Sequence, residues 1–174
     1  RSTIIEDIET IFGGSDIRFE QLVFEITERR PLTNHLQAYS VIAALHALGS
    51  RLAMDDVGTG HSNLAVIQTL GVDIIKIDRV FVDMIKEDTE QVPVLDGLIK
   101  MAQDLGAEIV AEGVETEEQA LYLRAHGVTH AQGFLFAPAL KPKSFIALAR
   151  TLNRQVVDGK LAPKSNVGEI PQMK

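Results

Sequence analysis

Two rhythms of apolar positions alternate along the chain, and each switch between them marks an element. From Thr3 to Phe12 the spacing is helical, with Ile4, Ile8, Ile11 and Phe12 on one side, and Gly13 and Gly14 end the segment. Leu22 to Thr27 reads as a strand. Helical spacing returns from Asn34 to Leu48, where Gly49 occupies the position of a terminating glycine. The pattern then predicts a strand at Arg51–Val57, a short helix at Ser62–Leu70 and a strand at Val72–Ile77 dense enough in Ile and Val to be buried on both faces. A helix at Val94–Leu105, a strand at Glu108–Glu112, a helix at Thr116–His126 and a strand at Thr129–Phe136 follow. Thr116 and Gln119 fit a capping box. Ser144–Leu152 forms a last helix within a unit covering residues 1–150, and residues 151–174 read as a polar, flexible tail.

Strands separated by helices imply an α/β fold with parallel packing, either doubly wound or TIM-type. A full barrel takes about 250 residues, so a chain of 174 residues with about five parallel strands corresponds to an incomplete TIM-type barrel.

The predicted strands share a feature that packing alone does not require: polar groups at their C-terminal ends. Glu25 and Glu28 close the first, Asp55 and Asp56 the second, Lys76 and Asp78 the third, Glu112 and Glu115 the fourth, and Gln132 lies on the fifth. A carboxylate in a buried strand needs a partner, a metal or an open cavity, and in β/α barrels this end of the strands forms the active site. A single such residue is equally well a loop cap; five in succession are not. Asp55 and Asp56 are neighbours, so they can face one site only if the strand ends or bends there, which Gly58 and Gly60 permit.

Composition narrows the chemistry. Without Cys there is no disulfide or thiolate site, which suits a reducing compartment such as the cytoplasm. A net charge of −7 argues against DNA binding. Clustered carboxylates favour hard cations such as Mg²⁺ or Mn²⁺, and several around one point can hold two ions for in-line displacement at phosphorus.

The runs FEITE, DDVGTGHSNL, IIKIDRVFV, AEGVET and AQGFLF, in this order and spacing, resemble the EAL domains, which hydrolyse cyclic di-GMP to linear pGpG. The resemblance covers roughly Ile4 to Leu148. It implies two divalent cations, Mg²⁺ or Mn²⁺, with Glu25 a ligand of the first, Asp55 bridging both, and Asp56 and Glu112 on the side of the second. Lys76 then positions the attacking water and phosphate, and Glu112 lies closest to a general-base role. Glu28 braces the loop from Val57 to Asn63, Thr59 and Ser62 being the hydroxyls in reach. Glu115 and Gln132 support the rim, and Asp78 holds Lys76 and its neighbours in place.

The sequence departs from the family pattern at Val57, His61 and Asn63, where the common loop has Phe, Tyr and Ser. The Glu-Ala-Leu motif and the Asn of the following strand are not found in the chain; the resemblance therefore implies about three further N-terminal strands, one antiparallel, in a parent protein with an N-terminal sensory or membrane domain. Residues 1–174 alone are expected to expose an open sheet edge that another chain covers, and to bind metal and turn over substrate poorly. A homodimer is the expected assembly. The alternative readings are a non-catalytic cyclic di-GMP receptor or a dimerisation module. His35, His46 and His126 read as surface or packing residues, His61 as a minor candidate for ligand contact, and His130 as a strand cap; Phe134 and Phe136 read as core.

Overall fold

The computed structural model describes residues 4–27, 35–58 and 64–157. Five parallel strands, β1 (Val23–Thr27), β2 (Arg51–Val57), β3 (Ile74–Ile77), β4 (Glu108–Glu112) and β5 (His130–Gln132), pair in chain order in one sheet. Helices α1 (Ile4–Phe12), α2 (His35–Ala47), α3 (Leu64–Leu70), α4 (Arg79–Val82), α5 (Pro93–Asp104), α6 (Glu117–Ala125) and α7 (Pro142–Val157) precede, connect and follow them. This is the expected α/β arrangement, with sequential parallel strands and helical crossovers. Among the described residues β1 and β5 are the sheet edges.

The two faces of the sheet differ because side chains alternate along a strand. Leu52, Met54, Ile75, Ile77, Ile109, Ala111 and Ala131 point to the helix-covered side and form the core with Val82, Leu95, Ile99 and Leu123. The alternate residues form the other face in layers: Arg51, Glu108 and His130 at the N-terminal ends; Ala53, Ile74 and Val110 between; Glu25, Asp55, Lys76, Glu112 and Gln132 at the C-terminal ends. The lower layer is a row of polar side chains. Glu108 contacts the Arg51 guanidinium through one oxygen, and its other oxygen lies 3.3 Å from His130 Nε2. His130 thus faces Glu108 within the sheet where a strand cap was expected.

Several elements depart from their expected bounds. The fifth strand stops at Gln132, and residues 133–136 turn. Phe136 remains half-buried against the core, but Phe134 is 68% exposed, overturning its assignment to the core. A 3₁₀ turn at Phe19–Gln21 and the four-residue α4 are too short to show a period. On α1 only Ile8 is buried; Ile4 and Ile11 face out. Helix α7 runs past Leu152 to Val157, into the segment expected to be a tail, and residues 158–174 lie outside the described part.

The Thr116 cap forms as expected: its hydroxyl accepts from Gln119 N–H, and Gln119 Oε1 accepts from Thr116 N–H at 3.1 Å. A second tie joins α5 to α6. Buried Tyr122 accepts from Val92 N–H and donates to Asp96 Oδ1, both at 2.7 Å. Tyr122→Phe leaves a buried donor unpaired and should cost about 1–3 kcal/mol. Urea unfolding would read this, and a change under about 0.5 kcal/mol would show that the tie contributes nothing.

Candidate active site

The upper layer of the open face gathers the sequence-predicted residues around one ammonium group. Lys76 Nζ lies 2.7 Å from Glu112 Oε1, 3.0 Å from Asp55 Oδ1 and 3.2 Å from Glu25 Oε2, so carboxylates from three further strands meet the lysine of β3. Its side chain is only 12% exposed. Gln132 on β5 completes the row by donating from Nε2 to Glu112 Oε1 at 2.7 Å. Parallel register produces this convergence: Thr27 pairs with Asp55, Lys76 with Val110, and Glu112 with Gln132.

The strand bend required at the Asp pair is present. On β2 three steps separate Met54 from Val57, whereas their partners Ile75 and Ile77 on β3 are two steps apart. The extra residue is a bulge, which sets Asp55 and Asp56 together opposite Lys76. Asp56 adopts φ 59°, in the left-handed region that Asp tolerates better than most side chains. Gly58 follows at φ 93°, where a Cβ would come within 2.8 Å of the Phe81 ring.

The remaining predicted residues fall in different places. Asp78 caps α4, its carboxylate accepting from Val80 N–H at 2.8 Å. Glu115 contacts Arg79 Nη1 at 2.6 Å, and Arg79 Nε donates to Asp83 at 3.0 Å. Arg79 was not anticipated, although its position directly after the strand-end Asp78 was a signal that it would face the same rim. Glu28, Thr59, His61, Ser62 and Asn63 lie outside the described residues. His46 reaches Asp73 Oδ2 at 3.0 Å, at the opposite end of the sheet from the site.

Electrostatics bind the cluster together. Burial works against the Lys76 charge as its largest single influence, but the hydrogen bonds and charges of Glu112, Asp55 and Glu25 together outweigh it and hold the ammonium well above its ordinary pKa. Burial pushes the Glu112 carboxyl above its ordinary range; Lys76 opposes that shift, and the charges of Asp55 and Glu25 reinforce it.

Among the described residues no three carboxylates or imidazoles stand close enough together to hold a metal ion. The donor set nevertheless suits a hard cation: all its charged members are carboxylates, and they already surround a positive charge. Asp55 Oδ1 is shielded from water, and the Lys76 ammonium 3.0 Å away is the positive charge it faces.

These shifts fix a sign. With its pKa raised on folding, Lys76 contributes stability that is fully present below the ordinary lysine pKa and is lost as pH rises through the folded value. Glu112, also raised, favours the fold when protonated and costs stability once ionised. In buffer containing a chelator, Lys76→Met should therefore cost about 1–3 kcal/mol at pH 7, discounted for the half-open site. The deficit should shrink as the pH is lowered from 7 and Glu112 protonates. Urea melts across that range would test this, and a deficit independent of pH would show that the carboxylates do not depend on the lysine.

Comparison with known proteins places the chain among a group of relatives. The EAL domain family model matches residues 1–139. A protein named probable cyclic di-GMP phosphodiesterase PdeD, from Escherichia coli, is 40% identical over 145 residues, covering 83% of this chain and 27% of the relative. The chain spans about a quarter of the length of the first curated relatives it matches. The solved EAL domain of Mycobacterium smegmatis DcpA superposes with a TM-score of 0.81 at 30% identity, covering 98% of this chain and 69% of that one. A manganese and cyclic di-GMP complex of Klebsiella pneumoniae BlrP1 superposes with a TM-score of 0.68 at 32% identity, covering 78% of this chain and 34% of that one.

Proposed function

Because the chain belongs to the EAL domain family, we propose that it carries most of the active site of a metal-dependent phosphodiesterase that opens cyclic di-GMP to linear pGpG. The observation that carries this reading is the meeting of Glu25, Asp55 and Glu112 at Lys76, on the strand ends where β/α barrels place their chemistry.

The reaction asks little covalent chemistry of the protein. A water oxygen attacks one phosphorus, the P–O3′ bond breaks, the departing 3′ oxygen takes up a proton from solvent, and the phosphate stays on the 5′ oxygen. Glu112 receives the proton of the attacking water; burial has raised its basicity, and Gln132 Nε2 fixes one of its oxygens. Lys76 orients the water and the phosphoryl oxygens. Glu25, Asp55, Asp56 and Glu112 would hold two divalent cations, Mg²⁺ or Mn²⁺, which supply Lewis-acid stabilisation and a more acidic bound water. The fit of an all-carboxylate set and the manganese complex of a structural neighbour support this.

Glu28 and Thr59 are proposed to order the loop after β2, with Glu115 and Gln132 supporting the rim and Asp78 holding Lys76 and its neighbours in place. The expected assembly is a homodimer. In a longer parent the domain would follow a sensory or membrane domain and work on the cytoplasmic side; no described helix is long and apolar enough to cross a membrane. The test is hydrolysis of cyclic di-GMP by the natural protein that contains this chain, with pGpG identified as product. Tight binding without turnover would instead establish the receptor reading.

A further inference from the structure

Two ion pairs link the C-terminal exits of β3 and β4. Lys76 meets Glu112 at 2.7 Å, and Arg79 Nη1 meets Glu115 Oε1 at 2.6 Å. The first pair belongs to the site already described. The second uses the residues three positions further along each chain segment. Arg79 opens α4, which Asp78 caps, and its Nε donates to Asp83 Oδ2 at 3.0 Å. The guanidinium therefore holds one carboxylate on its own side and one on the turn that follows β4.

The turn needs such a grip at Gly113. This residue directly follows Glu112, stands at φ 70° and has the backbone freedom of a glycine. The Arg79 stem lies over it: a Cβ at Gly113 would stand 2.5 Å from Arg79 Cγ and 2.7 Å from Arg79 Cβ. With the stem in place Gly113 has little room to rotate. Beyond it, Val114 N–H donates to Gln132 O at 3.0 Å and Glu115 N–H to Gln119 Oε1 at 2.7 Å, so the far end of the turn is tied down. Gly113 is the joint between that end and the Glu112 carboxylate. Stability does not explain the arrangement, because the Arg79 side chain is 51% exposed and exposed ion pairs contribute little to folding.

We propose that Arg79 is a positioning residue for Glu112: its stem packs on Gly113 and its guanidinium holds Glu115, so the turn after β4 keeps the Glu112 carboxylate aimed at Lys76. This assignment rests on the phosphodiesterase reading above. In the natural protein, Arg79→Ala should lower kcat for cyclic di-GMP about 10- to 100-fold, the loss expected when a reacting group is misplaced by about 1 Å, while KM changes less than about threefold. Mn²⁺ affinity without substrate, read from free Mn²⁺ by electron paramagnetic resonance, should fall about 10-fold, because Glu112 is one of the proposed ligands. The melting temperature should move by less than about 3 °C. Glu115→Gln should reproduce both losses, and the double variant should lose no more than either single one. An unchanged kcat or Mn²⁺ affinity, a loss carried in KM, a larger fall in melting temperature, or losses that add would each overturn the positioning role and leave the phosphodiesterase reading intact. A wild-type protein that neither binds nor hydrolyses cyclic di-GMP would overturn both.

Discussion

In the natural protein, Glu112→Ala should lower the turnover of cyclic di-GMP by about 10²- to 10⁴-fold, the range lost with a positioned general base, and Lys76→Ala should remove most turnover as well. The expectation follows from how the two groups are held. Glu112 is fixed by Gln132 Nε2 at 2.7 Å and by the Lys76 ammonium at 2.7 Å, on a strand paired on both sides. Burial has moved its pKa upward, toward the range in which a carboxylate takes a proton usefully. The two losses should not add, because each residue is the other's nearest charged partner. The measurement is steady-state hydrolysis with the fold of each variant checked by circular dichroism. Either variant keeping near-normal kcat while folded would show that its role is wrongly assigned.

Metal exchange should have an effect of comparable size. Treatment with a chelator should abolish hydrolysis, Mg²⁺ or Mn²⁺ should restore it, and Ca²⁺ should inhibit. Calcium takes six to eight oxygens at longer distances and magnesium six at short ones. The donors here stand on strands locked in one sheet: Glu25 is in register with Ala53 and Glu112 with Gln132. Such a frame cannot spread to suit the larger ion. Rates compared after chelation and re-addition of each metal would test this; equal activity with all three ions would argue against a fixed, closely spaced metal site. Protection against thermal unfolding should follow the same order and gives a readout independent of turnover.

The order of the five strands and the longer helices, the parallel α/β class and the polar strand ends were legible in the sequence, because each depends on local rules; the 3₁₀ turn and α4 were too short to be. Period-two and helical spacing separated strands from helices, glycines marked helix ends, and Thr116 with Gln119 announced a cap that the structure forms. The bend at Asp55 and Asp56 was legible as a requirement, since two adjacent side chains cannot share a face of a regular strand. How it would be met was not: the bulge exists only as a mismatch between β2 and β3, a property of two strands.

The misses have the same origin. Phe134 lies in an apolar run that reads as strand, but Gly133 pressed against Val114 ends the strand and turns the ring outward. Arg79 and Glu115 are 36 positions apart in sequence and meet only because β3 and β4 are neighbours. The row of Arg51, Glu108 and His130 had no sequence signal, because its members are far apart along the chain and each looks like an ordinary strand-end residue.

Spacing along the chain determined the longer elements, which side chains share a face within each strand, and the family motifs, since these follow from local pattern. The tertiary structure alone decided that Lys76 stands at the centre of three carboxylates, that Gln132 holds Glu112 and that Phe134 faces water. Those facts depend on which strands lie side by side and in what register, and register is fixed by packing and hydrogen bonds between segments distant in the chain.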